Sequence, residues 1–449
     1  MTESESRERA HPTLWVDVGS FLEFFRYRER PSGIQRVEME IYTALARFGW
    51  PRAAVRFCRL ERSVERFERV DPATLARVFH DPPRASGSPI GRLIRALRRM
   101  LRARRLVYLR PAPLGTRTER FRRGDLLLSL GTSWENPRYV EMLDRARRTL
   151  GVRIAVLIYD VIPVAHAEWV DPALRRRFGR WLDGVLANAH LLFTISGHSR
   201  ADLLELGVER RIVLPPVEVL RLGCGFAAPP MEPGTGPGFP ERFVLYVSTI
   251  EPRKNHALLL RVWRRLIERH GAEAVPPLVL VGRVGWLVDD LLSELSRDPT
   301  LGAKVGIRSG LSDAEVAEAY RRCLFTVFPS LMEGWGLPVT ESLEQGKLCV
   351  ASNVGAIPEA GGDLVDYFDP RDEAGALAAI ERAIFDAGYH ASREARIREA
   401  FRPRSWADCV ADLLAQLDRL TQGPPNLPAG SAGSNARLSR VPEGAADVV

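Results

Sequence analysis

The sequence predicts an α/β protein with two domains of parallel β-sheet, covered by helices and facing each other across a cleft. The chain of 449 residues is too long for one hydrophobic core, since a domain usually holds about 100–200 residues. In both halves, buried-looking strands alternate with amphipathic helices, which is typical of parallel sheets. Between the halves, residues 226–240 contain five prolines and three glycines, which neither a helix nor a central strand accommodates.

The first half is predicted to contain four strands, at residues 14–18, 125–130, 154–159 and 191–194. A helix is predicted to begin near Ser32, because Ser32 and Gln35 have the spacing of a capping box. A second helix is predicted from about Ser199.

In the second half the strand and helix patterns alternate without interruption. Strands are predicted at 243–247, 278–281, near 305, 324–328 and 348–352, and helices at 256–269, 287–295, 314–322 and 338–345. The predicted organisation is a disordered N-terminus (1–12), a first domain (13–225), a linker (226–240), a second domain (241–402), a helix that packs back towards the first domain (403–422) and a disordered tail (423–449).

Composition excludes several classes of protein. No run of about 18 apolar residues is present, so no transmembrane helix is predicted. The polar start lacks the apolar stretch of a secretory signal. The five cysteines are scattered, which is typical of buried thiols in a reducing cytosol and not of a disulfide framework or a zinc site. We therefore expect a cytoplasmic protein.

The basic charge is concentrated in one segment. The net charge is +8, and of 64 basic residues only Lys254, Lys304 and Lys347 are lysines. Residues 91–123 hold twelve arginines and one acid, so this segment carries +11 and the remainder −3. Its apolar residues recur at helical spacing, which predicts a cationic amphipathic helix. Two interpretations of this helix remain open: peripheral docking on an anionic membrane, and a solvated face of a domain helix. Nucleic-acid binding is not favoured, because no recognition motif accompanies the charge.

The densest set of candidate residues lies at residues 328–341, Phe-Pro-Ser-Leu-Met-Glu-Gly-Trp-Gly-Leu-Pro-Val-Thr-Glu. A buried strand ends at Phe328, Gly334 and Gly336 permit an unusual backbone path, and Pro338 suits a first helical turn. A helix is therefore predicted to begin near Leu337, with free N–H groups that attract phosphate.

Two carboxylates flank this helix start. Glu333 precedes it and Glu341 lies about one turn inside it. Carboxylates that accept hydrogen bonds from hydroxyls on either side of a diphosphate site suit a sugar nucleotide. Taken singly, Glu333 is also explained as a solvated loop charge and Glu341 by helix-start electrostatics.

A second candidate set follows the first strand of the second half. Arg253 and Lys254 stand at a helix start, where the helix dipole favours acids over bases. A bound anion would resolve that conflict; an exposed basic pair is the alternative. Lysine is rare in this chain, so its use at position 254 suggests a need for a compact ammonium group.

These motifs resemble family 4 glycosyltransferases of GT-B fold. Glu333 and Glu341, separated by seven residues that include Gly-Trp-Gly-Leu-Pro, are similar to the donor-site motif of that family. The same resemblance extends to residues 249–256, 282–286, 352–363, 32–37 and 159–163. It covers about residues 14–420, and within the family it points to bacterial mannosyltransferase-like enzymes of surface-polysaccharide biosynthesis. The fold it implies is two Rossmann-like domains facing across a cleft.

The resemblance implies a role for each residue of the donor site. Glu333 would contact hydroxyls of the donor sugar near the transferred carbon, and Glu341 would bind the ribose. Arg253 and Lys254 would hold the diphosphate and stabilise it as leaving group. The backbone at Gly334, Gly336 and Leu337 completes that donor site.

On the acceptor side, Gly33 would lie in a loop that approaches donor and acceptor, and Asp160 would face the acceptor. Two positions depart from the family pattern. Many members have histidine before the aspartate, where this chain has Tyr159. Many have arginine at the position of Thr249, which we assign to donor binding, and Arg253 is expected to replace that arginine.

The resulting expectation is a retaining glycosyltransferase. It would move a hexose, with mannose favoured, from a nucleotide diphosphate sugar to a hydroxyl of a glycan or lipid-linked acceptor in cell-surface polysaccharide assembly. No metal or other cofactor is expected, since no cluster of histidine and aspartate is visible. A sugar-nucleotide epimerase, a phosphorylase and a non-catalytic membrane-associated assembly factor are the alternatives.

Overall fold

The computed structural model describes residues 12–28, 30–60, 64–80, 118–225 and 238–422. The predicted disordered ends, most of the predicted linker and most of the basic segment 91–123, with the amphipathic helix predicted there, lie outside these residues.

The first half forms one mixed sheet flanked by helices. Its strands are β1 (Thr13–Asp17), β2 (Ala54–Arg59), β3 (Phe67–Val70), β4 (Thr118–Glu119), β5 (Leu126–Ser129), β6 (Arg153–Ile158), β7 (Leu191–Thr194) and β8 (Val217–Val219). Its helices are α1 (Gly19–Phe25), α2 (Gly33–Phe48), α3 (Pro72–His80), α4 (Tyr139–Arg148), α5 (Ile162–Ala165), α6 (Pro172–Asn188) and α7 (Gly197–Glu209).

The order of strands in this sheet is β4-β3-β2-β1-β5-β6-β7-β8. Neighbours from β2 to β8 are parallel, as predicted. At the β4 edge, β3 pairs antiparallel with both β2 and β4, which was not predicted. The sequence did not indicate this strand because β3 is short and carries Glu68 and Arg69 between its two buried ends, so it lacks an apolar run.

The second half forms a sheet that is parallel throughout, in the order β11-β10-β9-β12-β13-β14. Its strands are β9 (Val244–Val247), β10 (Leu278–Val281), β11 (Val305–Arg308), β12 (Thr326–Phe328), β13 (Cys349–Ser352) and β14 (Asp366–Phe368). The helices that follow are α8 (His256–His270), α9 (Asp289–Arg297), α10 (Pro299–Lys304), α11 (Asp313–Arg322), α12 (Leu337–Glu344), α13 (Ile357–Gly361), α14 (Glu373–Phe385), α15 (Ala387–Ala400) and α16 (Trp406–Gln422).

Both sheets are buried on both faces. In β1, Leu14 and Val16 pack into one core and Trp15 into the other, as the period of two in a strand requires. In β9, Val244 and Leu245 divide between two cores in the same way. The predicted α/β class with helices on both faces is confirmed.

The helix α16 packs on the first half although it follows the second half in sequence. Cys409, Val410, Leu413 and Leu417 are all buried in the core that contains β1 and α2. The backbone N–H of Cys224, at the end of the first half, donates to the carbonyl of Arg404 at 3.0 Å. The chain therefore passes between the halves twice.

In each sheet the order in which successive strands are added reverses at one point, between β1 and β5 in the first half and between β9 and β12 in the second. Ligands of open α/β sheets bind at such switch points, beyond the carboxyl ends of the strands. The loops after β9 and β12 carry the two candidate sets of residues, so the fold places them at this position.

Candidate functional site

The helix α12 begins at the residue that the glycine pattern predicts. Gly336 precedes the helix with φ of 108°, a left-handed conformation that disfavours side chains. The N–H of Val339 donates to the Gly336 carbonyl at 2.9 Å. Gly33 of the first half lies against Leu337, whose Cδ1 is 3.6 Å from the position of an added Cβ. The start of α12 therefore faces the first half.

Glu333 lies between two cations. Its Oε2 is 2.8 Å from an Arg253 guanidinium nitrogen, and its Oε1 is 2.5 Å from Lys254 Nζ. The side chain of Glu333 is only 9% exposed. A second acid, Glu251, holds the other end of Arg253 at 2.9 Å. The structure thus brings Glu333, Arg253 and Lys254 together from segments about 80 residues apart.

A rigid turn positions the two cations. Residues Pro252–Lys254 form one 3₁₀ turn, which Asn255 ends in a left-handed conformation with φ of 56°. The Asn255 amide donates to the carbonyls of Pro329 at 3.2 Å and Pro370 at 3.1 Å. The Tyr246 hydroxyl donates to the Lys254 carbonyl at 2.7 Å. This turn is consequently tied to the loop after β12 and to the loop after β14.

Electrostatics keep the Glu333 carboxylate ionised. Burial alone would raise the pKa of Glu333, but the charges of Arg253 and Lys254 outweigh burial and lower it to about 2. Burial and the neighbouring Arg253 lower the pKa of Lys254, while Glu333 opposes them. Burial acts against the charge of Arg253 too, but Glu333 and Glu251 raise its pKa above the usual value. Glu333 is therefore an ionised carboxylate between two basic side chains.

Asp160 lies opposite this cluster, at the carboxyl end of β6. Its Oδ1 accepts a hydrogen bond from the N–H of Ile162 at 3.0 Å. A Cβ added to Gly334 would lie 2.9 Å from the Tyr159 carbonyl and 3.2 Å from Asp160 Oδ2. Burial raises the pKa of Asp160, and the charge of Arg253 acts in the opposite direction. Asp160 of the first half and the Gly334 loop of the second half thus lie against each other.

Glu341 is buried away from the Glu333 cluster and has its own partners. Its Oε2 accepts a hydrogen bond from the Tyr320 hydroxyl at 2.7 Å. Its Oε1 is 3.4 Å from a guanidinium nitrogen of Arg36, on α2 of the first half. The other end of Arg36 lies 2.6 Å from Asp313 Oδ1. Sequence reasoning assigned Glu341 but missed Arg36, Asp313 and Tyr320.

Thr249 contributes no charge to the site. It is half-buried in the loop after β9, where its Cγ2 is 3.0 Å from the position of a Cβ added to Gly285. The neighbouring Ile250 forms an isolated parallel bridge with Val284. Thr249 therefore packs between two loops at the edge of the cleft.

Three further contacts close the cleft between the halves. Glu359 accepts hydrogen bonds from the N–H groups of Gly197 at 2.8 Å and His198 at 2.7 Å, at the start of α7. The Ser199 hydroxyl donates to the Gly334 carbonyl at 3.3 Å. The indole of Trp286 donates to the Trp169 carbonyl at 3.1 Å. Sequence analysis did not predict these contacts, because each joins residues more than 100 positions apart.

In the part of the chain that the structure describes, no group of three or more His, Cys, Asp or Glu side chains is arranged to hold a metal ion. Within the same residues, no helix has the length and apolar character needed to cross a bilayer.

Residues 236–402 match the family model for glycosyl transferases, group 1. Residues 236–402 therefore form a group 1 glycosyltransferase domain. This match confirms the resemblance that the Glu333–Glu341 motif indicates. Over 91% of the chain and all of the other protein, the fold matches Anabaena HepE in complex with UDP and glucose, with a TM-score of 0.56 at 15% identity. The two halves together have the GT-B fold.

Two curated relatives of this chain are mannosyltransferases of Escherichia coli. The serotype-specific mannosyltransferase WbdA is 27% identical to this chain. The aligned region covers 61% of this chain but only 35% of WbdA. O-antigen chain mannosyltransferase B is 28% identical over 58% of this chain and 69% of its own length. The chain thus spans about a third of the length of the WbdA relatives that it matches.

Replacing Gly334 by alanine is expected to weaken the contact between the glycosyltransferase domain and the first half. The new methyl group would meet the Tyr159 backbone at 2.9 Å, which is closer than real Cβ contacts allow. We expect a stability loss of about 1–3 kcal/mol, as for other overpacked sites, and a larger interdomain separation. Thermal unfolding and small-angle scattering measure the two effects. Alanine at Gly306, where an added Cβ meets nothing within 4 Å, is the control; equal stability of the two variants would contradict the prediction.

Proposed function

We propose that the protein is a retaining glycosyltransferase that transfers a hexose from a nucleotide diphosphate sugar to a hydroxyl group. The observation that carries the proposal is the buried Glu333 held between Arg253 and Lys254 at 2.8 Å and 2.5 Å. This cluster lies beside the start of α12 and against Asp160 of the opposite half. It offers cations for a diphosphate, a carboxylate for sugar hydroxyls and a facing wall for an acceptor.

Arg253 and Lys254 act on the leaving group. When the glycosidic bond to the diphosphate breaks, negative charge grows on the phosphate oxygens. Preorganised cations stabilise such charge more strongly in a water-poor site than in bulk solvent. A diphosphate that enters the cleft shares both cations with Glu333, and the Glu333 oxygens become available to hydroxyls of the donor sugar.

Retention of the anomeric configuration follows from the family resemblance, and the charge state of Glu333 is consistent with it. A carboxylate whose pKa is about 2 and that is paired with two cations is a weak nucleophile. We propose that the acceptor attacks from the face that the diphosphate leaves, and that the departing phosphate takes the acceptor proton. We also propose that no metal is required, because two side-chain cations already face the diphosphate.

Mannose is the favoured sugar, and the acceptor is proposed to be a glycan or a lipid-linked glycan of the cell surface. The support is that both E. coli relatives are named as mannosyltransferases and one acts on the O-antigen chain. HepE was solved with UDP and glucose, so both guanine and uracil nucleotides belong in the test.

Incubation with GDP-mannose, UDP-glucose and related donors in the presence of EDTA tests the proposal. We expect release of nucleoside diphosphate that depends on a glycan acceptor, with the same anomeric configuration in donor and product by NMR. An epimerised nucleotide sugar, a sugar phosphate, or calorimetry that shows binding of neither GDP nor UDP would each contradict the proposal. The first two outcomes point to an epimerase or a phosphorylase, and the third to an assembly factor.

We propose further that the enzyme works at the cytoplasmic face of the cell membrane, through residues 91–123. The support is the charge of +11 on that segment, which anionic lipid headgroups attract. Co-sedimentation with vesicles of phosphatidylglycerol and phosphatidylcholine tests it. Binding is expected to fall as salt rises and to disappear when residues 91–105 are deleted. Undiminished binding of the deletion variant would leave the segment as a solvated helix face.

A further inference from the structure

Arg36 connects the two halves through two carboxylates at once. One guanidinium nitrogen is 2.6 Å from Asp313 Oδ1 and the other is 3.4 Å from Glu341 Oε1. The side chains are mostly buried, with 22% of Arg36 and 8% of Glu341 exposed. A planar guanidinium that spans two acids fixes both the distance between the halves at this contact and their relative orientation.

The two acids stand on rigid supports. Asp313 is the first residue of α11, and Ser312 and Glu315 form a capping box around that helix start. Glu341 lies on α12, and the Tyr320 hydroxyl of α11 holds its second oxygen at 2.7 Å. Arg36 therefore contacts an arrangement that α11 and α12 have already set.

Arg36 also acts on the protonation of Glu341, whose pKa lies above its usual value in this arrangement. Burial raises the pKa of the Glu341 carboxyl, and the positive charge of Arg36 is the largest influence in the opposite direction. When the halves separate and Arg36 withdraws, Glu341 loses its cation. The orientation of this acid thus depends on closure of the cleft.

We propose that Arg36 is a positioning residue that couples closure of the cleft to occupation of the nucleotide site. The inference rests on the proposed function, in which Glu341 receives the ribose hydroxyls of the nucleotide. The closed form presents an oriented Glu341, so it binds nucleotide better than the open form does. A ligand that prefers one form shifts the population towards it.

A second side chain of α2, Glu40, opposes closure of the cleft. It lies one helical turn after Arg36 and is half-buried. Burial and the charge of Asp313 raise the pKa of Glu40 to about 7, against the effect of Arg36. Closing the cleft thus brings two like charges together, and Arg36 offsets their repulsion.

Interdomain distances measured by double electron–electron resonance test the coupling. Spin labels are placed on cysteines introduced at Val208 of α7 and Phe385 of α14, which are 79% and 41% exposed. Cys224, the half-buried native thiol, is replaced by serine in every sample; the other four cysteines are buried. Distances are recorded without ligand and with GDP or UDP.

Arg36→Ala is expected to lengthen and broaden the distance distribution without ligand. If the fraction of molecules in the closed form falls from nearly one to about a tenth, the Kd for the nucleoside diphosphate rises about tenfold. Arg36→Lys keeps the charge without the two-pronged geometry, so an intermediate distribution is expected. Glu40→Gln removes one of the like charges and is expected to favour the closed form.

Two comparisons separate this role from a purely structural one. In a Glu341→Gln background, Arg36→Ala is expected to leave the Kd nearly unchanged, because it acts through Glu341. Glu359→Ala removes a contact between the halves that does not involve Glu341, so it is expected to lengthen the distance distribution by the same amount in both backgrounds. A distance distribution of Arg36→Ala that equals wild type, or an undiminished effect of Arg36→Ala in the Glu341→Gln background, would overturn the inference.

These outcomes are distinguishable from failure of the proposed function. Lengthened, nucleotide-dependent distances without sugar transfer from any donor would overturn the proposed function alone. Unchanged distances in an active transferase would overturn the coupling alone. Absence of GDP and UDP binding together with unchanged distances would overturn both.

Discussion

Replacing Lys254 by alanine is expected to lower turnover by about 10²–10³-fold, the usual effect of losing one charge-stabilising group. The ammonium lies 2.5 Å from Glu333 and 5.5 Å from the centre of the Phe328 ring, in a site that is largely closed to solvent. Without it, the leaving diphosphate has only Arg253 beside it. Single-turnover rates at saturating donor measure the effect on the chemical step.

Lys347→Ala is the matched control for this variant. Lys347 belongs to the same domain and lies 3.8 Å from Glu394, but it precedes β13 and so stands at the opposite edge of the sheet. We expect its turnover to stay close to that of wild type, because Lys347 lies at the far end of the strands from Glu333. A Lys254→Ala enzyme that keeps wild-type turnover while folded would remove the ammonium from the mechanism.

Replacing Glu333 by alanine is expected to abolish transfer while nucleotide binding survives. The two cations that Glu333 neutralises are then free to bind the diphosphate, so the Kd for GDP or UDP should stay unchanged or fall. Transfer should drop by at least about 10²-fold, because the sugar loses the carboxylate that orients it. Calorimetry with nucleoside diphosphate and turnover with donor sugar separate the two effects.

Glu341→Gln is the companion variant, and its expected pattern is the reverse. It removes a charge from the proposed ribose site, so the Kd for nucleoside diphosphate should rise while the sugar site is kept. The melting temperature of both variants shows whether they fold. If Glu333→Ala weakened nucleotide binding as much as Glu341→Gln, the proposed separation of roles would be wrong.

The parts of the molecule that local sequence patterns determine were predictable. A buried strand followed by glycines and a proline identifies the start of α12 at Leu337, because that backbone path needs φ values that only glycine adopts easily. The capping pair of Ser32 and Gln35 marks α2, and the structure shows the Ser32 hydroxyl donating to Gln35 Oε1 at 2.5 Å. These features arise within a few residues of each other, so a single sequence contains them.

Contacts between distant segments were not predictable in the same way. Arg36 and Glu341 are 305 positions apart, and nothing in the residues around Arg36 indicates a partner on the other half. The antiparallel edge at β3 was missed because its central residues are charged. The amphipathic pattern of α16 predicts a helix, but the identity of the core that it covers depends on the path of the whole chain.

The double passage of the chain also has a consequence for biosynthesis. The four buried residues that α16 contributes to the core around β1 leave the ribosome after the entire second half has been made. Until then, the groove they fill exposes apolar surface of α2 and its neighbours, which is a site for chaperones and for aggregation. The half that is synthesised first therefore completes its core last, and expression of residues 1–225 alone would yield a domain with an open core.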